Sequence, residues 1–224
     1  MIRNIIFDLG GVILNLDPAA TQKAFESVGM PDFKEQYSTI TQTGCFDDFD
    51  RGKISEKEFR DHLKKFLPDT ITDEAIDKAW NAMLLDLPKE RLELLKSLGK
   101  KYRLFLLSNT NEIHVTAFSA YLQKEYGFRD FSAYFERWYY SCRIGKRKPD
   151  AEIFEFVLNE NGLLAEETLF IDDSPQHIEG AKKVGIKSYL LPAGKDICSA
   201  FGEKKEPAEK IDYREVIIGL TEGL

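Results

Sequence analysis

The chain has 224 residues, 43% of them apolar and 31% charged, enough to bury a full hydrophobic core and incompatible with a disulfide-stapled miniprotein or a disordered chain. Basic residues number 31 and acidic residues 38, a net charge of −7. Without the positive field that attracts polyphosphates or anionic membranes, neither nucleic acid nor a membrane is an expected partner. No apolar run approaches the roughly 18 residues that span a bilayer. Cys45, Cys142 and Cys198 are dispersed, with no CxxC pair or zinc-like Cys/His spacing, and read as reduced thiols. Asp8 interrupts the apolar stretch from Ile5 to Leu14 and no small-residue cleavage site follows it, so no export signal and a cytoplasmic location are expected.

In chain order, Ile5-Ile6-Phe7 is the first of five strand-sized apolar runs. About ninety residues without a convincing strand follow it, too long for a plain crossover and too apolar for disorder, and they read as a helical insert. Asp17-Pro18 starts a helix with Ala24, Phe25 and Val28 on one face and Gly29 behind it. Ser55 and Glu58 have capping-box spacing ahead of Phe59, Leu63 and Phe66, and Pro68 closes that segment. Ile76, Ala79, Trp80, Met83 and Leu84 make a third stripe.

From about Ser97 onward, strand and helix alternate. The runs Leu104 to Leu107, Trp138 to Tyr140, Leu169 to Ile171 and Tyr189 to Leu191 are continuously apolar, as expected of parallel strands covered on both faces. Between them, Pro149 opens a helix carrying Ile153, Phe154, Val157 and Leu158, and Ser174-Pro175 opens another that Gly185 ends. The alternation predicts a doubly wound α/β core of residues 1–15 and 97–224, interrupted by a helical domain over residues 16–96. The charged stretch 202–210 reads as a surface loop.

Ligands of open α/β sheets bind beyond the carboxyl ends of the strands. The first polar residues after the runs are Asp8, Ser108, Ser141 and the pair Asp172-Asp173. Carboxylates from two strands converging on one point would suit Mg²⁺, although Asp and Ser equally serve as strand-end caps and turn formers. Gly10-Gly11 after Asp8, Ser108-Asn109 after the second strand and Lys148-Pro149 at a helix start tip the balance toward a site.

In these four segments, Ile5 to Val12, Leu106 to Asn109, Gly145 to Pro149 and Phe170 to Asp173, the chain resembles the haloacid dehalogenase superfamily across essentially its whole length. The resemblance implies a Rossmann-like core with a helical cap and a Mg²⁺-dependent phosphatase working through an aspartyl-phosphate. It implies Asp8 as nucleophile, Asp8, the Gly10 carbonyl and Asp173 as metal ligands, and Asp172 assisting directly or through water. Ser108 and Lys148 would hold the phosphoryl oxygens. Like-charge repulsion between a carboxylate and a phosphoryl group calls for such cations and donors.

Most phosphatases of the superfamily carry a second Asp two positions after the nucleophile, as general acid and then base. Here that position is Gly10, which cannot transfer a proton. The segment Leu107 to Asn111 with His114, together with Arg147-Lys148-Pro149 and Ile178 to Ala181, is similar to the bacterial α-D-glucose-1-phosphate phosphatases, which share that glycine. The implied substrate is a small phosphorylated metabolite such as a sugar 1-phosphate, whose anomeric hydroxyl is a good leaving group. Asn109 and His114 join Ser108 and Lys148 as candidate substrate contacts.

His114 has a capping or packing reading beside its functional one. His177 reads as a surface residue without a role, the Cys45 to Gly52 segment as cap core, with Arg51 or an aromatic there as the competing sugar contact, and Lys146 and Arg147 as a solvated face. Two other functions compete: a metal-independent dehalogenase, since dehalogenases also lack the second Asp, and a non-catalytic phosphoacceptor module. The paired Asp172-Asp173 opposes the first and the long insert opposes the second.

Overall fold

The computed structural model describes residues 1–30, 33–35, 37 and 44–201. The charged stretch 202–210 lies outside them. Five parallel strands, β1 (Asn4–Phe7), β2 (Arg103–Ser108), β3 (Arg137–Tyr140), β4 (Thr168–Asp172) and β5 (Lys187–Leu190), form one sheet in the order β3-β2-β1-β4-β5. This is the doubly wound order, with the winding direction reversing about the central β1.

The sheet is covered on both faces, which is why its central strands read as continuous apolar runs. Ile5, Phe7, Leu104, Leu106, Leu169 and Ile171 pack into one cluster, while the alternate residues Ile6, Phe105, Leu107 and Phe170 pack into another. The second cluster is closed by the helix Ala151–Asn161 through Ile153, Phe154 and Val157, and by the helix Pro175–Lys183 through Ile178 and Ala181. On the first face lie the helix Glu112–Tyr126, with Val115, Phe118 and Leu122, and the helix Lys89–Leu98, with Leu92, Leu95 and Leu98.

That last helix falls inside the segment expected to be cap. Its leucines pack with Ile5 and Leu104, so it belongs to the sheet layers and the insert that stands apart ends before it. An amphipathic leucine stripe shows that a helix is buried, not against what.

A third cluster gathers Phe25, Phe49, Phe59, Leu63, Ile76 and Trp80 from four helices over Pro18–Ser27, Cys45–Asp50, Glu56–Lys64 and Asp73–Trp80. Asp17 caps the first of these through Ala19 N, and the Ser55–Glu58 capping box forms in full. Phe59 is completely buried, in face-to-face contact with Phe49 at 4.1 Å; truncating such a side chain to Ala typically costs about 3–5 kcal/mol. Ile113, from the start of the helix Glu112–Tyr126, also enters this cluster, so the insert is seated over the carboxyl end of the sheet. Among the described residues no helix is long and apolar enough to cross a membrane.

Candidate active site

Asp8 continues the line of β1, its main-chain N–H donating to Ile171 of β4 at 2.9 Å. The chain then turns at once: Ile13 and Leu14 both donate back to the Leu9 carbonyl, and Gly11 takes φ +77°. A Cβ on Gly11 would overlap the Asp173 carboxylate, so the second glycine leaves room for that side chain. A Cβ on Gly10 would lie 2.5 Å from Leu16 Cδ1, at the start of the insert.

Lys148 joins the carboxylates. Its Nζ donates to Asp8 Oδ1 and to Asp172 Oδ2, both at 2.7 Å, and the side chain is fully buried, as is that of Asp172. Asp172 Oδ1 accepts from the Ser174 main-chain N–H at 2.8 Å. Ligand atoms of Asp8, Asp172 and Asp173 all lie within 4.8 Å of one another. Burial pushes the Asp8 carboxyl up to about 7, the Asp172 charge adding to the effect and Lys148 opposing it. Burial also pushes Asp172 up, but Lys148 and then His177 outweigh it and hold the carboxyl at about 2. Asp173 is raised by burial and by Asp172. Lys148 stays firmly protonated, because its two carboxylates outweigh its desolvation.

Three carboxylates share one ammonium, a deficit of two positive charges if all are ionised. Hard oxygen donors clustered at this spacing fit a divalent cation such as Mg²⁺. Asp8, Asp173 and the Gly10 carbonyl are the groups that would hold it, since the Asp172 oxygens already serve Lys148, Ser174 and His177.

The structure brings Asp8, Gly10, Ser108, Asn109, His114, Lys148 and Asp173 to the wall of one cavity of about 310 Å³. Ser108, at the end of β2, donates to the Asn109 carbonyl only at a long 3.4 Å. From the cavity wall, the Asn109 amide Nδ2 donates to the Lys148 carbonyl and its Oδ1 accepts from the Lys148 N–H, both at 2.9 Å, so the side chain grips the lysine backbone. Ser141 is wholly buried and pairs with both main-chain groups of Thr110. Its role is to join β3 to the loop after β2.

Two residues depart from their expected solvent roles. His177 turns inward, its Nδ1 3.0 Å from the Asp172 carboxylate, and lines the cavity. Position 177 falls in the first turn of its helix, two residues after Pro175, and that proximity to Asp172 was the available signal. Arg147, expected on a solvated face, reaches the insert: NH1 meets Asp47 Oδ1 at 2.7 Å and NH2 meets Asp50 Oδ2 at 3.4 Å. Arg51 pairs with Asp47 and Asp150, each at 2.7 Å, rather than with the cavity. Lys146 does sit on the surface, paired with Glu152.

The roof comes from the insert. Tyr37, Asp50, Trp80 and Met83 line the cavity with Asn111, whose Nδ2 donates to Asp50 Oδ1 and whose Oδ1 caps the following helix at His114 N. Motif reading could not find these roof residues, because nothing in the local pattern of the insert shows which side chains face the core.

A haloacid dehalogenase-like hydrolase family model matches residues 2–185. The chain is 32% identical over 196 residues to a D-ribitol-5-phosphate phosphatase of Bacteroides thetaiotaomicron, covering 88% of this chain and 95% of the relative. It is 26% identical to a phosphorylated carbohydrates phosphatase of Thermotoga maritima, over 82% of each chain. Among solved structures, a HAD family enzyme from Bacteroides thetaiotaomicron in complex with magnesium and inorganic phosphate superposes with a TM-score of 0.80 at 36% identity, over 90% of this chain and 100% of that one. This chain belongs to the haloacid dehalogenase-like hydrolases.

Proposed function

We propose that this hydrolase, which acts on phosphate esters, dephosphorylates a small phosphorylated sugar or sugar alcohol, using Mg²⁺ and a phosphoenzyme formed on Asp8. The observation that carries the reading is the meeting of Asp8, Lys148 and Asp173 at the floor of a roofed cavity that also holds Ser108. Its size suits a small metabolite. The named substrates of the two curated relatives, and the magnesium and phosphate bound by the solved relative, support the same class.

In this mechanism the Asp8 carboxylate attacks phosphorus while the ester oxygen leaves on the opposite side, and water then cleaves the acyl phosphate. Lys148 offsets the repulsion between carboxylate and phosphoryl group, and Ser108 offers a hydroxyl to a phosphoryl oxygen. Mg²⁺, when bound, supplies the remaining positive charge on the transferring group. Asp172 anchors Lys148 from the other side.

Gly10 favours a sugar 1-phosphate within this class, because no acid stands at that position to protonate a poor leaving group. The test is phosphate release from sugar 1-phosphates, terminal phosphates of sugars and pentitols, nucleotides and p-nitrophenyl phosphate, with Mg²⁺ and with chelator. Turnover is expected only with the cation, with the highest kcat/KM on the carbohydrate esters, and is expected to be absent in Asp8→Asn. Chelator-resistant turnover, or a best substrate from the nucleotides, would overturn the reading.

A further inference from the structure

The cavity wall carries apolar area from Leu14, Leu16, Met83, Leu84 and Phe118 beside the polar Tyr37, Asp50 and Asn111. A polyhydroxylated substrate would lose water there without compensation unless polar groups are placed to receive its hydroxyls. His114 is such a group, and its surroundings determine which kind.

The His114 ring lies parallel to Trp80, 6° apart in plane with centroids at 5.2 Å, and its Nδ1 is 2.8 Å from Asn81 Oδ1. The amide oxygen only accepts, so the ring proton is on Nδ1 and Nε2 carries a lone pair. Nε2 has no protein partner among the described residues, yet it is not among the buried polar atoms left unpaired, so it is open to the cavity. Burial lowers the imidazole to about 4; it is therefore neutral at neutral pH, which removes it as a general acid. The ring has little freedom to rotate away, being 7% exposed and held by the Trp80 stack and the Asn81 bond.

We propose that His114 is a specificity-determining residue whose Nε2 accepts a hydrogen bond from a substrate hydroxyl, in an orientation fixed by Asn81 and Trp80 of the insert. This rests on the carbohydrate-phosphate reading above and adds to it the group that distinguishes a hydroxylated chain from an alkyl chain of equal length. The bond forms only while the insert is seated on the core, because the acceptor that fixes Nδ1–H, Asn81 Oδ1, and the stacking partner, Trp80, come from the insert and the histidine from the core helix.

The test compares a pentitol 5-phosphate with n-pentyl phosphate on the full chain with Mg²⁺. Both are primary alkyl esters of the same chain length, and the more acidic leaving alcohol of the pentitol acts alike in wild type and variants, so the change in their ratio isolates the His114 contact. The wild type is expected to favour the pentitol ester by about 10² or more in kcat/KM, since sites that hydrogen-bond a hydroxyl reject analogues lacking it. His114→Phe, which keeps an aromatic ring against Trp80, should cut that ratio at least tenfold through the KM of the pentitol ester. His114→Gln, which keeps an acceptor, should recover most of it.

A wild type without preference for the pentitol ester overturns both the carbohydrate reading and this inference. A preference that survives His114→Phe, or an equal fall in kcat on both esters, overturns this inference alone. If His114→Phe does not fold, ring ¹⁵N NMR of the wild type decides. An unprotonated Nε2 that shifts when a pentitol binds with inorganic phosphate upholds the role, and a protonated or unresponsive Nε2 overturns it.

Discussion

Asn109 holds Lys148 by both main-chain groups, its amide donating to the lysine carbonyl and accepting from the lysine N–H at 2.9 Å each. This clamp lies on the loop after β2, whereas Lys148 comes from a segment 39 residues further on. The ammonium that bridges Asp8 and Asp172 is therefore positioned by a residue that bonds the lysine backbone rather than either carboxylate. Asn109→Ala is expected to lower kcat by roughly 10–10² with a small effect on KM, because misplacing a charged group by about 1 Å is costly. A KM effect with kcat unchanged would return Asn109 to substrate binding.

The charge deficit at Asp8, Asp172 and Asp173 predicts that Mg²⁺ stabilises the fold as well as the reaction. At a hundredfold excess over its dissociation constant, a ligand that binds only the native state adds about 2.7 kcal/mol. Melting temperature should therefore rise across a Mg²⁺ titration at pH 7.5 and fall back on chelation. In Asp173→Asn the midpoint should move to higher Mg²⁺ concentration. Identical titrations of wild type and variant would take Asp173 out of the cation site.

His114 gives the stability a pH dependence of known sign. Its folded value of about 4 lies below the ordinary 6.5, so between these values the unfolded chain binds a proton that the native chain refuses. Its contribution is complete above pH 6.5 and is lost as pH falls toward 4, on the order of 3 kcal/mol in all. Urea unfolding at pH 7 and pH 5 should show the wild type losing about 2 kcal/mol more than His114→Gln. Equal losses would mean that His114 titrates near its ordinary value.

Much of this was legible in the sequence, for a definite reason. Ile5, Ile6 and Phe7 face two different clusters and are all fully buried, so a parallel strand announces itself as an unbroken apolar run with its functional residue next in line. Asp8, Ser108 and Asp172-Asp173 follow from that rule. The relations that escaped are those between distant segments. Arg147 reads as one charge in a basic cluster, and only the fold shows Asp47, a hundred residues earlier, 2.7 Å from it. His177 reads as a surface residue because the turn at Ser174, which brings it back to Asp172, leaves no hydrophobic pattern. The leucines of Lys89–Leu98 would serve either domain equally well, so periodicity alone could not assign them.

Gly10 offers the sharpest chemical test. With no acid at this position, turnover should depend steeply on leaving-group acidity, so phenolic and anomeric phosphates should exceed primary-alcohol phosphates in kcat while chemistry is rate-limiting. Restoring an Asp there is not a simple exchange, because its Cβ would press on Leu16 Cδ1 at 2.5 Å, and Leu16 sits at the start of the insert beside its bridge to Leu84. In Gly10→Asp alone the end of the half-buried Leu16 side chain must turn aside, and a smaller gain on primary-alcohol esters is expected. In Gly10→Asp with Leu16→Ala the carboxyl gains room, and kcat on primary-alcohol esters should rise relative to p-nitrophenyl phosphate, flattening the dependence by about tenfold or more. A double variant as steep as the wild type would show that the leaving oxygen already receives its proton from another group. The neutral His114 could not be that donor, and the cavity-lining His177, bonded to Asp172, would be the residue to replace next.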